Sequence, residues 1–204
     1  MDLPTPADPR PVPQGSGPER LPLPPEQALD DAQRAAAQAL IAGPRKAVYG
    51  PFVPLLRVPA LLDVVAQLGE ALRFRGTLAA RVRELVTCAT AAAVGNQFEW
   101  VMHEPLVRAA GVAAGALEAL RVGARPEGLA TDEQAALDFT QELLHHHGVS
   151  EPTYQRTCAL FGEPAVVELS TLVGYFVMVS WVMNVARTPS RPTSEVAPLP
   201  ARPL

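Results

Sequence analysis

An acid and an imidazole stand out from this chain by type and spacing. Glu84 and His103 lie in the stretch Arg83–Gly111, RELVTCATAAAVGNQFEWVMHEPLVRAAG, on either side of a break at Val94-Gly95-Asn96. Apolar helical spacing before and after the break predicts two helices. A turn this short makes them antiparallel neighbours, which lets Glu84 face His103 across the pair. An acid and an imidazole held together away from bulk water are the usual parts of a proton relay. Cys88 stands one turn from Glu84 on the same side. On the second helix Asn96, Glu99 or Trp100, His103 and Val107 fall on one common face. Each residue also has a plainer reading. Glu84 can be a surface acid paired with Arg81 or Arg83, and His103 a hydrogen-bonded structural histidine. Glu99 follows Asn96 by three residues, where a capping-box acid belongs, or it can contribute a polar contact to a pocket.

The elements around these residues read as helices throughout. A helix is predicted over 26–42, followed by the loop GPRKAVYGPFVP. This loop is stiffened by Gly and Pro yet carries Arg45, Tyr49 and Phe52, side chains large enough to wall a pocket. Pro59 suits the first turn of a further helix, in which Leu61, Val65, Leu68 and Leu72 are expected in the core. Pro105 removes a backbone donor two residues past His103 and is expected to kink its helix there. Thr131-Asp-Glu-Gln134 reads as a capping box opening a helix to about His147, and Ser150 opens another to about Leu160. Pro164 starts the last helix. Within it, Leu172–Val185 is nearly all apolar and, at about 21 Å, short of a bilayer core. It is expected to be buried on all sides, partly by another subunit. No alternating run predicts a strand, so the fold class is all-α.

Composition narrows the rest. The chain has 204 residues, 48% of them hydrophobic and 19% charged. That apolar excess points to a homo-oligomer. A net charge of −4 gives no basic footprint for nucleic acid. Cys88 and Cys158 make neither a disulfide framework nor a zinc knuckle. The adjacent His145, His146 and His147 point in three directions on a helix, so no metal or other cofactor is expected. Nine of the 22 prolines fall in the first 25 residues and five more after Thr188. Residues 1–25 and 189–204 are therefore expected as Pro-rich tails outside the core of a 26–188 domain. The start MDLPTPADPRP lacks a charged n-region and an apolar h-region, so a cytoplasmic protein with no membrane partner is expected.

A helical Glu, a Gly-containing break, an aromatic-acid-aromatic run and a His resemble the carboxymuconolactone decarboxylase family, which includes the AhpD-type alkylhydroperoxidases. The resemblance covers roughly residues 43–189. In the AhpD branch the Glu is followed by C-x-Y-C-x-x-x-H. The first Cys falls here on Asn96, the Tyr on Phe98, the second Cys on Glu99 and the His on His103. Both redox cysteines are replaced while the acid and the histidine stay. The resemblance implies an AhpD-like helical bundle, assembled as a dimer, trimer or hexamer, and a small-molecule substrate. It implies Glu84 and His103 as catalytic residues of an acid–base enzyme, of lyase, isomerase or hydrolase type, on a small carboxylated or cyclic substrate. Asn96, Phe98, Glu99, Trp100 and Tyr49 then line the pocket, and Arg45 receives a substrate carboxylate. The alternatives are a non-catalytic ligand-binding member, or a peroxidase-related protein using a single Cys. The latter needs a reactive thiol, whereas Cys88 sits in an Ala-rich helix interior where thiols are inert.

Overall fold

The computed structural model describes residues 17–190 and 195–201. Among them it shows helices and no strand. After a 3-10 turn at Glu26–Ala28 come α1 (Asp31–Ala42), α2 (Phe52–Leu55), α3 (Pro59–Phe74), α4 (Ala80–Val94) and α5 (Gln97–Ala109). They are followed by α6 (Ala114–Arg121), α7 (Thr131–His146), α8 (Glu151–Phe161) and α9 (Glu163–Ala186).

Local chemistry sets the boundaries. Asp30 caps α1 in a full capping box with Gln33. Gly95, at φ 68°, ends α4 in the left-handed conformation that costs glycine least. Asn96 then starts α5, its Oδ1 accepting from the Glu99 N–H at 2.8 Å. Glu99 does not complete a box, because its carboxylate turns towards His103 instead. At α7 the cap is one residue earlier than the sequence suggests. Ala130 is the N-cap, and Glu133 reaches back to accept from its N–H at 2.9 Å.

α4 and α9 form the centre. α4 packs on α5, α7 and α9, and α9 also meets α2, α3 and α8. Two apolar clusters lie on either side of α4. The first holds Leu56, Leu62, Val82, Val86, Phe139 and Leu169. The second holds Leu85, Cys88, Trp100, Val107, Leu117 and Leu137.

Several expectations change here. In α3 the buried stripe is Leu62, Val65, Ala66, Gly69 and Leu72. Leu61 and Leu68 are 49% and 39% exposed. Helical spacing fixed the period of that stripe, but a one-residue rotation of the face is set by the neighbours. α9 is 24 residues long, and by length and composition it could cross a membrane. It is packed at the centre of the bundle on one side only. Val167, Trp181 and Val185 on the other side are 60–66% exposed, so within one chain the helix is not buried all round.

The described parts of the terminal segments are held against the body, contrary to their expected place outside the core. Arg20 N–H donates to the Ala186 carbonyl at 2.8 Å, and Arg57 donates to the Pro22 carbonyl at 2.8 Å. Val196 and Leu199 are buried in the second cluster. The Ala197 carbonyl accepts from Trp100 Nε1 at 2.9 Å, and Gln97 exchanges two hydrogen bonds with the Leu199 backbone. Proline lacks donors, but its neighbours still offer carbonyls and apolar side chains. The expected tail residues 1–16, 191–194 and 202–204 lie outside the described residues.

Candidate functional site

The antiparallel pairing of α4 and α5 brings Glu84 and His103 together. Nδ1 of His103 stands 2.6 Å from Glu84 Oε2, and Nε2 stands 3.2 Å from Glu99 Oε2 one turn earlier on α5. The imidazole is thus held between two carboxylates. The Phe176 ring meets it edge-on, with centroids 5.1 Å apart at 84°. The side chains are 12% exposed for His103 and 6% for each acid.

This setting decides the charge. Burial disfavours the imidazolium, but the hydrogen bonds and negative charges of Glu84 and Glu99 outweigh it and raise the His103 pKa to about 9. Burial likewise pushes the Glu84 carboxyl upward. His103, with smaller help from Arg83 and Arg73, brings it below the ordinary value. At neutral pH the centre is therefore an imidazolium beside an ionised Glu84. It can give up a proton more readily than take one.

A cavity of about 80 Å³ adjoins these groups. Tyr49, Phe98, Met102, Tyr175 and Phe176 give it apolar and aromatic walls, and Arg45, Arg73 and Arg83 line its charged side. Gly69 leaves room for this arrangement, since a Cβ there would run into the Tyr175 hydroxyl and the Arg45 guanidinium. The ring surroundings push the Tyr175 hydroxyl up to about 12 through burial, so it stays a neutral donor.

Six of the eight residues singled out in the sequence meet here: Glu84, His103, Phe98, Glu99, Arg45 and Tyr49. Asn96 does not reach the cavity. Its Nδ2 donates to Asn184 Oδ1 at 2.7 Å and to the Ser180 carbonyl at 3.2 Å, pinning the α4–α5 corner to the end of α9. Trp100 turns the other way, 1% exposed in the second cluster. Glu99 and Trp100 are adjacent, about 100° apart around the helix, and cannot share a face. Arg45 lines the cavity but is already engaged. It donates to Glu70 at 2.5 Å and to the Ala66 carbonyl at 3.1 Å, and lies over the Phe52 ring at 4.5 Å. Arg81, one reading of the partner for Glu84, pairs with Asp132 and Glu133 on α7. Arg83 does reach Glu84, at 3.3 Å.

Sequence reasoning missed Arg73, Tyr175 and Phe176. Arg73 resembles any basic residue in a last helical turn, and the two aromatics are lost within the apolar run of α9. Cys88 is fully buried, and burial pushes its thiol well above the ordinary range, with the Glu84 charge adding to the effect. A thiol so placed is a packing residue.

The model of the carboxymuconolactone decarboxylase family matches residues 59–142, a span that includes Glu84, Glu99 and His103. In that region the chain is similar to the carboxymuconolactone decarboxylase family. No curated protein matches the sequence significantly. Solved structures share the fold. An uncharacterized peroxidase-related protein with an alkylhydroperoxidase AhpD core, from Ralstonia eutropha JMP134, superposes with a TM-score of 0.69 at 20% identity. That alignment covers 88% of this chain and 95% of the other. A putative antioxidant defence protein AhpD from Agrobacterium tumefaciens gives 0.61 at 16% identity, over 68% and 96%. A variant of the debrominase Bmp8 in complex with 2,3,4-tribromopyrrole gives 0.64 at 11%, over 86% and 93%. At these identities the likeness establishes an AhpD-like helical fold.

Proposed function

We propose that this protein is an acid–base enzyme acting on a small carboxylated or cyclic substrate through Glu84 and His103. The observation that carries the reading is the imidazole held between Glu84 and Glu99 at the edge of a cavity. In a decarboxylation the departing carboxylate leaves its electron pair on carbon. The imidazolium gives that carbon its Nε2 proton and becomes neutral, with Nδ1–H still held by Glu84. Solvent restores the lost proton. Glu99, within reach of Nε2, guides the transfer. Arg73 and Arg83 at the cavity supply positive charge for a substrate carboxylate, a role that suits them better than Arg45, whose guanidinium is tied to Glu70. A small ring is a ligand the fold accommodates in its debrominase neighbour.

A specific observation favours a second reading. Both imidazole nitrogens already face carboxylates, which leaves the ring satisfied and suits a site that binds a ligand without reacting. Turnover decides between the two. Screening lactone and cyclic carboxylic acids for carbon dioxide or proton release should find a converted compound. His103→Gln should cut that rate by about 100-fold or more with the fold intact. Equal turnover by the variant overturns the acid–base reading, and saturable binding with no turnover supports the second.

We also propose that the exposed stripe of α9 is covered by a second copy of the chain. Val167, Thr171, Gly174, Met178, Trp181 and Val185 repeat at alternating steps of four and three, the spacing of a helix seam. Light scattering should show a multiple of 21.7 kDa, and Trp181→Glu should reduce it to the monomer. A wild-type monomer at micromolar concentration would sink the idea.

A further inference from the structure

The cavity beside His103 is small for a substrate. At about 80 Å³ it holds a few heavy atoms, since a water takes about 30 Å³ in the liquid and ligand pockets usually run to about 300 Å³ or more. A second cavity of about 560 Å³ lies directly beyond it. The two share three lining residues, Tyr49, Phe98 and Met102. This shared wall is thin and built from side chains. The Tyr49 and Phe98 rings are 6.4 Å apart and tilted, and Met102 is an unbranched, half-exposed chain that adapts to its neighbours. Gly50, at φ 58°, brings the loop backbone so close to Phe98 that a Cβ would stand 2.6 Å from the ring. That contact fixes the wall where the two spaces meet.

The outer cavity is apolar in character. Leu23, Val48, Val53, Val101 and Pro189 line it, with Glu19 and Thr188 as its polar members. The Thr188 hydroxyl oxygen is shielded from solvent and has no hydrogen-bond partner among the described residues. An unpaired shielded hydroxyl costs stability and suits a ligand atom that would bond to it. The N-terminal segment lines its outer side through Glu19 and Leu23. Glu19 and Leu23 belong to the stretch that Arg20 ties to the carbonyls of Ala186 and Val185, and that Arg57 ties through Leu21 and Pro22.

We propose that the outer cavity is the second half of the substrate site and receives the apolar tail of an elongated amphipathic molecule. The polar head of that molecule sits beside His103, so the inference rests on the acid–base site above and adds the tail. The substrate class is a small carboxylated or cyclic head bearing an alkyl chain. A compact ring alone would leave the larger cavity without a role. The segment 17–23, outside the region that matches the family, forms part of its wall.

Binding of soluble straight-chain carboxylates to the full chain tests this, read by titration calorimetry below the concentration at which they form micelles. Each methylene buried from water is worth about a fourfold gain in affinity, so octanoate should bind about two-hundredfold more tightly than butyrate. Ala47→Trp fills the outer cavity from an exposed position, and Leu23→Glu sets a charge in its wall. Each should lower octanoate affinity at least tenfold and leave butyrate unchanged. Octanoate and butyrate binding within threefold of each other in the wild type would overturn the proposal. So would both folded variants retaining the full chain-length dependence, or binding to phosphatidylcholine vesicles with no saturable octanoate site. His103→Gln separates this result from the reaction. A chain-length dependence kept in that variant while turnover is lost upholds both readings. No chain-length dependence beside His103-dependent turnover removes only the tail site. A chain-length dependence beside turnover indifferent to His103 removes only the relay.

Discussion

The two faces of α5 are built from neighbouring residues and behave as opposites. Glu99 and His103 point to the cavity, where charge is concentrated. Trp100 and Val107 point into the second cluster among Leu85, Cys88 and Leu117, and the one buried acid on that side of α5, Glu104, is paired with Arg108. Both faces are well shielded, with Glu99 5% and Trp100 1% exposed. The difference therefore lies in what shields them rather than in how deeply they sit. On the polar face each buried charge has a counter-charge within hydrogen-bond reach, which is the condition under which burying it is tolerable. The other face is held by close packing, one indole hydrogen bond to the C-terminal segment and the pairing of Glu104 with Arg108. Only the polar face carries an imidazole.

The comparison breaks most visibly at the apolar face. Trp100→Ala removes the largest side chain of the second cluster and frees the Ala197 carbonyl. It should cost about 3–5 kcal/mol of stability, seen as a lower midpoint in denaturant. Any activity should persist in the fraction that stays folded. A loss below about 1 kcal/mol would show that the second cluster does not depend on this residue.

The polar face should show itself through pH. His103 is raised from 6.5 to about 9 in the fold, so its contribution is complete below about pH 6.5 and disappears as pH rises through about 9. Glu84 is lowered, so its share is present above its ordinary pKa of 4.5 and is lost as pH falls through the folded value. The imidazolium contributes at most on the order of 3 kcal/mol. Melting temperature should therefore fall between neutral pH and about pH 9, and His103→Gln should remove most of that decline. An identical alkaline decline in the variant would place its origin elsewhere.

The smallest effect belongs to the corner joining the faces. Asn96→Ala removes the cap of α5 and strands Asn184, and should cost about 2 kcal/mol. Because Asn96 does not line the cavity, substrate affinity should change far less than stability. A selective loss of binding, with the midpoint unchanged, would return Asn96 to the site.

The sequence by itself determined the longer helices, their main breaks and the meeting of Glu84 with His103, while the short α2 and α6 fell in stretches that read as loops. These depend on local rules: helical period, Gly95 as a left-handed stop, Asn96 as a cap, and the antiparallel geometry that a short turn enforces. Motif spacing placed Phe98 and Glu99 beside them for the same reason. Only the tertiary structure decided which way each face turned. Trp100 differs from Glu99 by one residue, and nothing local says which of the two should meet α9. Arg45 was legible as a loop cation, but its capture by Glu70, 25 residues on, depends on how α3 docks. Arg73, Tyr175 and Phe176 enter the cavity from two other helices. Val196 and Leu199 looked like tail residues because proline content describes the backbone locally, whereas their burial depends on a groove formed by α5 and α6. Period and capping act over a few residues and can be read along a chain. Docking is settled by apolar area and charge pairing between segments far apart in sequence, and it exists only once the chain has folded.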